Sequence, residues 1–171
     1  LRRIGQRPIS VDVNTDLEDG LAAAARHLTP DWPVVQAHFD HLPLPDASAD
    51  VAIFNASFHY STDPVATLRE ARRVLRPDGL VVVIDSPIYR REHDGELMVR
   101  ERWSSFVMEY GLRAERHPSI GFLTPDRLDR WGEALGIEWR TATPWYGWRW
   151  ALRPAKARMR RRRRPSRFRV V

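Results

Sequence analysis

The chain has 171 residues, of which 43% are hydrophobic and 29% charged, and its formal net charge is +6. That size and balance suit one domain with a buried core, and they exclude disordered and collagen-like classes. The absence of cysteine excludes disulfides, thiol nucleophiles and cysteine-ligated zinc.

The longest aliphatic run, Leu80–Ile84, is far shorter than the roughly 20 apolar residues of a spanning helix, so no transmembrane segment is expected. The opening residues Leu1–Gly5 lack the apolar stretch of a secretory signal, and a cytoplasmic location is the default expectation. The charge is unevenly placed. From Arg153 to Val171 there are ten Lys or Arg residues and no acid; setting those ten aside leaves 18 of the 28 basic residues against 22 acids, a net of −4.

The elements alternate along the chain. Pro8–Val13 reads as a short strand ending in the helix-capping run Asn14-Thr15-Asp16, and the alanine-rich stretch Leu17–Leu28 as a helix. Pro33–Ala37 is a second strand candidate. Leu42-Pro43-Leu44-Pro45-Asp46 is a loop, because two prolines remove two backbone donors. Asp50–Phe54 is nearly continuous in apolar residues, as in a buried parallel strand. Asp63 and Pro64 then open a helix with Val65, Leu68, Arg72, Val74 and Leu75 toward one side. Pro77-Asp78-Gly79 is expected to stop it and turn the chain into the strand Leu80–Ile84.

Val99, Trp103, Phe106, Val107 and Tyr110 keep helical spacing, which predicts a helix over Gly95–Tyr110 with Trp103, Phe106 and Tyr110 as core, or, with Tyr89 and Met108, as the lining of an apolar acceptor pocket. Thr124, Pro125 and Gly136 bracket another helix, with Leu128, Trp131 and Leu135 inward. Ile137–Thr143 alternates like a strand. A basic helix is expected near Trp148–Arg163, and a last strand over Arg167–Val171 with Phe168 and Val170 toward the core. Strands alternating with helices of this length predict right-handed crossovers and a mostly parallel α/β sheet.

Ligands in such sheets bind outside the carboxyl ends of the strands, which points to Asp12, His38–His41, Asn55–Tyr60 and Asp85–Tyr89. Asp12 ends the first visible strand and could accept hydrogen bonds from two ribose hydroxyls, or serve as a helix cap. His59 and Tyr60 are the candidate catalytic residues by position, with ordinary packing as the competing reading. No metal site is expected: His38, Asp40 and His41 lack a convincing set of further ligands. Ser57 and Ser86 sit in no nucleophile elbow, and no phosphate-cradling glycine pattern is present.

Two segments carry a family resemblance. Ala37–Ile53, with its Leu-Pro-Leu-Pro-Asp loop before an Asp-Val strand, and Leu68–Val83, with Arg73-Val74-Leu75-Arg76-Pro77-Asp78-Gly79 before an apolar strand, resemble the methyltransferase-11 type of class I S-adenosylmethionine-dependent methyltransferase. They occur in order and about 30 residues apart. The resemblance implies an α/β, Rossmann-like methyltransferase sandwich, with a mostly parallel seven-stranded sheet and the cofactor across its carboxyl edge. Residues 1–171 would form a single domain, with 86–123 as a substrate cover and 153–171 as a basic helix and last strand.

Asp12, with Val13 beside it, matches the position that holds the cofactor ribose. His38, where the family usually has Asp, matches the adenine position, with Phe39 and Asp40 adjoining. Asn55 and Ala56 match the segment passing the methionine part. The resemblance also implies a first strand and glycine-rich loop that should precede Leu1, so an N-terminally truncated chain is expected. The implied activity is methyl transfer from S-adenosyl-L-methionine to a small-molecule acceptor. A nucleic-acid-binding module, or an RNA methyltransferase using Arg160–Arg164, is the competing expectation, and the acidic body counts against it.

Overall fold

The structure is a computed structural model, and it describes residues 5–26, 32–111, 118–160 and 162–171. The chain divides into two compact units, Leu1–Asp50 with Ala66–Gly79, and Val51–Val65 with Leu80–Val171.

In the first unit, β1 (Ser10–Asp12) pairs in parallel with β2 (Val34–Gln36), Asp12 facing Gln36 in register. The predicted helix from Leu17 is a 3-10 helix over Leu21–Arg26, and residues 27 and 28 lie outside the described part. Polar side chains explain the late start. Asn14 Oδ1 accepts from Asp16 N–H at 2.9 Å and Asp16 Oδ1 accepts from Glu18 N–H at 2.6 Å, so turns replace the first helical bonds.

Helix α1 (Pro64–Val74) follows the predicted pattern in part: Leu68 and Val74 are buried with Ala71, whereas Arg72 is exposed and Leu75 begins the next strand. Asp63 Oδ1 caps it by accepting from Val65 N–H at 3.1 Å. Strand β3 covers Ala49–Asn55 and pairs with β4, which covers Leu75–Ile84 rather than starting at Leu80. The turn expected at Pro77–Gly79 is absorbed into the strand. Its tightness persists: a Cβ on Gly79 would come within 2.9 Å of both Leu75 Cβ and Arg76 O, so only glycine fits.

One arginine joins the two sequence hallmarks within this unit. Arg73 on α1 donates to Leu42 O and Leu44 O, each at 2.9 Å, and forms ion pairs with Glu70 at 2.7 Å and Asp46 at 2.5 Å. Glu70 also accepts from Leu42 N–H at 2.7 Å. The prolines hold the loop extended, and the guanidinium collects the carbonyls that this geometry leaves without sheet partners. The carboxylates raise the Arg73 pKa, and bonding to Arg73, above all, lowers that of Glu70.

In the second unit, Phe58, Val83 and Leu123 are fully buried. Phe58 packs between Phe54, at 5.1 Å between ring centroids, and the edge of Trp131 at 5.9 Å. Helix α2 (Glu92–Tyr110) starts one turn before the sequence suggested. Gly95 lets it meet Phe122: a Cβ there would lie 2.2 Å from the ring. The aromatic stripe of α2 is not core. Phe106 and Tyr110 are 37% and 58% exposed and stack along the helix at 4.9 Å, with Trp103 5.8 Å beyond Phe106. Pairing of neighbours at helical spacing replaces burial here.

Helix α3 covers Pro125–Leu135, capped by Thr124, whose hydroxyl accepts from Arg127 N–H at 3.2 Å, and closed by Gly136. Ile137–Thr143 does not form a named strand. Ala142 alone bridges to Val170, with paired bonds of 2.8 and 2.9 Å. The last strand is likewise reduced to single pairings. Val171 exchanges bonds of 2.8 and 3.1 Å with Val83 on β4, and Arg167 pairs antiparallel with Ile88. Val171 is buried, while Phe168 and Val170 are half-buried. The expected basic helix is split into α4 (Trp148–Ala151) and α5 (Arg153–Met159). No helix among the described residues is long and apolar enough to cross a membrane.

Candidate functional site

The predicted site residues fall into two sets, one in each unit. In the first unit, Asp12 ends β1 with an exposed carboxylate, and its Oδ1 accepts from Asn14 N–H at 2.9 Å. Its backbone carbonyl accepts from Ala37 N–H at 3.1 Å, which ties the end of β1 to the end of β2. Val13 is 54% exposed beside it.

His38, Phe39 and Asp40 form a compact turn after β2. Asp40 Oδ1 accepts from the Thr67 hydroxyl of α1, and its Oδ2 lies 3.3 Å from His38 Nδ1. Asp40 N–H also points at that nitrogen, at 3.3 Å. The neutral ring with its proton on Nε2 accepts from the amide; the protonated ring pairs with the carboxylate. In the other neutral tautomer Nδ1–H donates to that carboxylate and Nε2 accepts, so the role of His38 follows its tautomer, while Asp40, 14% exposed, is committed to internal bonds. Phe39 stands against His38 at 4.6 Å between centroids.

In the second unit, Asn55 and Ala56 are exposed at the end of β3. Ala56 N–H donates to Ile84 O at 2.9 Å, fixing its place against the end of β4. Ala56 and Asp85 have φ of 51° and 54°, the left-handed region that a non-glycine residue adopts at a cost of about 1–2 kcal/mol. Ala47, in the loop before β3, has the same conformation at φ 50°. The resemblance names Ala56, and the strand-end rule points to Asp85 by position.

His59 and Tyr60, in a short 3-10 turn, have opposite surroundings. Tyr60 is 48% exposed and His59 only 7%. His59 Nδ1 lies 3.3 Å from Ser86 Oγ, its ring stacks 4.3 Å from Tyr60, and its carbonyl accepts from Gly121 N–H at 2.9 Å. Burial, with a smaller push from the Arg102 charge, lowers its pKa from 6.5 to about 4. The imidazole is neutral at pH 7. The sequence placed Ser86 within the Asp85–Tyr89 stretch but did not pair it with His59; it is fully buried just after β4.

The segment after β4 supplies a wall. Tyr89 is buried, accepts from Arg163 Nη1 at 3.0 Å and meets the Phe122 edge at 5.9 Å, so it packs rather than faces outward. Arg127, not foreseen, clamps the loop before α3: it donates to Ile120 O and Phe122 O at 3.0 Å, pairs with Glu92 and covers the Phe122 ring at 4.1 Å. A groove of about 470 Å³ runs beside it, lined by Glu96, Val99, Arg100, Ser119 and Ile120. Ile120 N–H donates to Ser61 O at 2.9 Å, which joins the groove wall to the His59–Ser61 turn. No cluster of three metal-ligating side chains exists among the described residues.

Residues 4–83 match the family described as Methyltransferase domain. Among curated proteins, the chain is 44% identical over 54 residues to a ubiquinone/menaquinone biosynthesis C-methyltransferase of Caulobacter, covering 32% of this chain and 21% of that protein. It is 31% identical over 81 residues to a malonyl-[acyl-carrier protein] O-methyltransferase of Yersinia pestis, covering 47% and 29%. The matched part thus spans about a quarter of the length of these curated relatives. A solved structure of a SAM-dependent methyltransferase from Aquifex aeolicus superposes with a TM-score of 0.55 at 17% identity, covering 83% of this chain and 66% of the other, which shows a common Rossmann-like fold.

Proposed function

We propose that this chain, a relative of the class I S-adenosylmethionine-dependent methyltransferases, contributes the ribose, adenine and methionine contacts of a methyl transfer from S-adenosyl-L-methionine to a small molecule. The observation that carries the reading is Asp12. It places an exposed carboxylate at the carboxyl end of β1, with one oxygen steadied by Asn14 N–H and lone pairs left for vicinal hydroxyls. A buried or ion-paired acid there would speak against this role. Val13 offers an apolar shoulder to the base. His38 offers its half-exposed ring, Phe39 backs that ring, and Asp40 holds the turn. Asn55 and the strained Ala56 supply an amide and close backbone approach for the methionine portion.

The cofactor, when bound, supplies a methyl group already activated on a sulfonium. The residues then need only align the acceptor and keep water out. We assign Tyr60 to the acceptor wall and His59 to holding it in place. With a pKa near 4 the imidazole is a weak base at neutral pH, so a hydrogen bond from its neutral ring is the stronger role. A cytoplasmic location goes with this reading.

The competing reading, RNA binding through Arg160–Arg164, is disfavoured by the −4 charge of the body. Photo-crosslinking of radiolabelled S-adenosylmethionine to the protein, with and without excess S-adenosylhomocysteine, tests the proposal. Competed label on the peptides around Asp12 and Asn55 supports it, and no competed label contradicts it.

A further inference from the structure

The C-terminal helical stretch is amphipathic the wrong way round for a helix packed on its own domain. Leu152 N–H donates to Trp148 O at 3.1 Å and Lys156 N–H to Leu152 O at 3.0 Å, so α4 and α5 follow one nearly continuous path. Spacings of three and four residues align Trp148, Leu152, Ala155 and Met159 on one face. In a surface helix this apolar stripe faces the core. Here it faces outward: Trp148, Leu152 and Met159 are 67%, 54% and 85% exposed. The half-buried face is the opposite one, where Trp150 meets Phe168 at 5.9 Å and lies under the Arg153 guanidinium at 3.9 Å. Trp145, just before α4, is 78% exposed.

Charge accompanies the stripe. Arg149, Lys156 and Arg160 lie along one flank by helical periodicity and Arg158 along the other, all exposed, with Arg162 and Arg164 exposed just beyond. No acid occurs from Arg153 onward.

We propose that this stretch docks the protein on an anionic lipid bilayer surface, with Trp148, Leu152 and Met159 entering the headgroup boundary and the flanking cations meeting lipid phosphates. Tryptophan suits that boundary, because its ring is apolar and its N–H polar. Aliphatic side chains between cations gain from hydrocarbon while the guanidinium groups stay at the phosphate level. Nucleic acid would account for the cations but not for Leu152 and Met159, which have no plane on which a base stacks. A second copy docked through the same face would bring two arrays of like charge together.

Flotation of the full chain with vesicles tests this. Binding is expected to vesicles containing phosphatidylglycerol, not to pure phosphatidylcholine, and to weaken with salt. Each cation near such a surface is worth roughly fivefold in partitioning, so changing Arg158, Arg160, Arg162 and Arg164 together to Gln lowers it about a hundredfold or more. Leu152→Glu with Met159→Glu abolishes vesicle binding and leaves the circular dichroism spectrum and melting unchanged, since both side chains are exposed. The proposal is overturned by absent binding to anionic vesicles, by undiminished binding of the double Glu variant, by tighter binding to a single-stranded oligonucleotide, or by a dimer that the double Glu variant dissolves.

Discussion

Lowering the pH should destabilise this protein through His59 before its carboxylates titrate. The folded ring has a pKa near 4, against 6.5 for the free side chain, so between those values the unfolded chain binds the extra proton. Stability from this source is therefore full above pH 6.5 and falls progressively toward pH 4. From pH 7.5 to 5.5 the linkage amounts to about 1.4 kcal/mol, reduced to about 1 kcal/mol for a ring that keeps some solvent contact. Urea unfolding followed by tryptophan fluorescence at the two pH values, for the native chain and for His59→Gln, isolates the effect because the other five histidines are shared. The native chain should lose about 1 kcal/mol more than the variant over this interval. Equal losses, or a native chain that gains stability at pH 5.5, would show that His59 is not held neutral, and the positioning role given to it would go too.

Other expectations follow from the packing. Arg73→Gln should release the Leu42–Asp46 loop and lower the melting temperature measurably, whereas Arg76→Gln, which removes only an exposed pair with Asp50, should leave it nearly unchanged. Phe58→Ala should cost about 3–5 kcal/mol in urea unfolding, because a fully buried ring leaves a cavity between Phe54 and Trp131. Thr124→Ala should cost about 1 kcal/mol through loss of the α3 cap, and Thr124→Ser should restore most of it.

Elements defined by local chemistry were the most legible. α3 is bounded by Thr124, Pro125 and Gly136 as its capping residues require, and α1 by Asp63 and Pro64. β1, β2 and β3 emerged within a residue or two. Elements that depend on distant partners were not legible. Ile137–Thr143 has strand alternation, but only Ala142 finds a partner, in Val170. The outward stripe of α2 looked like core because periodicity reports that a face is apolar and not what covers it. The same holds for the site. Asp12 and Asn55–Tyr60 are candidates by the rule that ligands gather at carboxyl strand ends. The Ser86 partner of His59, the Arg127 clamp and the strain at Asp85 needed coordinates, because each joins residues that no short motif connects.

The most direct test of the central claim is calorimetric titration of S-adenosylmethionine and S-adenosylhomocysteine into the protein that carries this sequence, beside its Asp12→Ala variant. Saturable binding of both ligands, weakened about tenfold to a hundredfold by the loss of two hydrogen bonds to a charged acceptor, is the predicted result. A folded protein that binds neither ligand, or binds them equally well without the Asp12 carboxylate, would contradict the account.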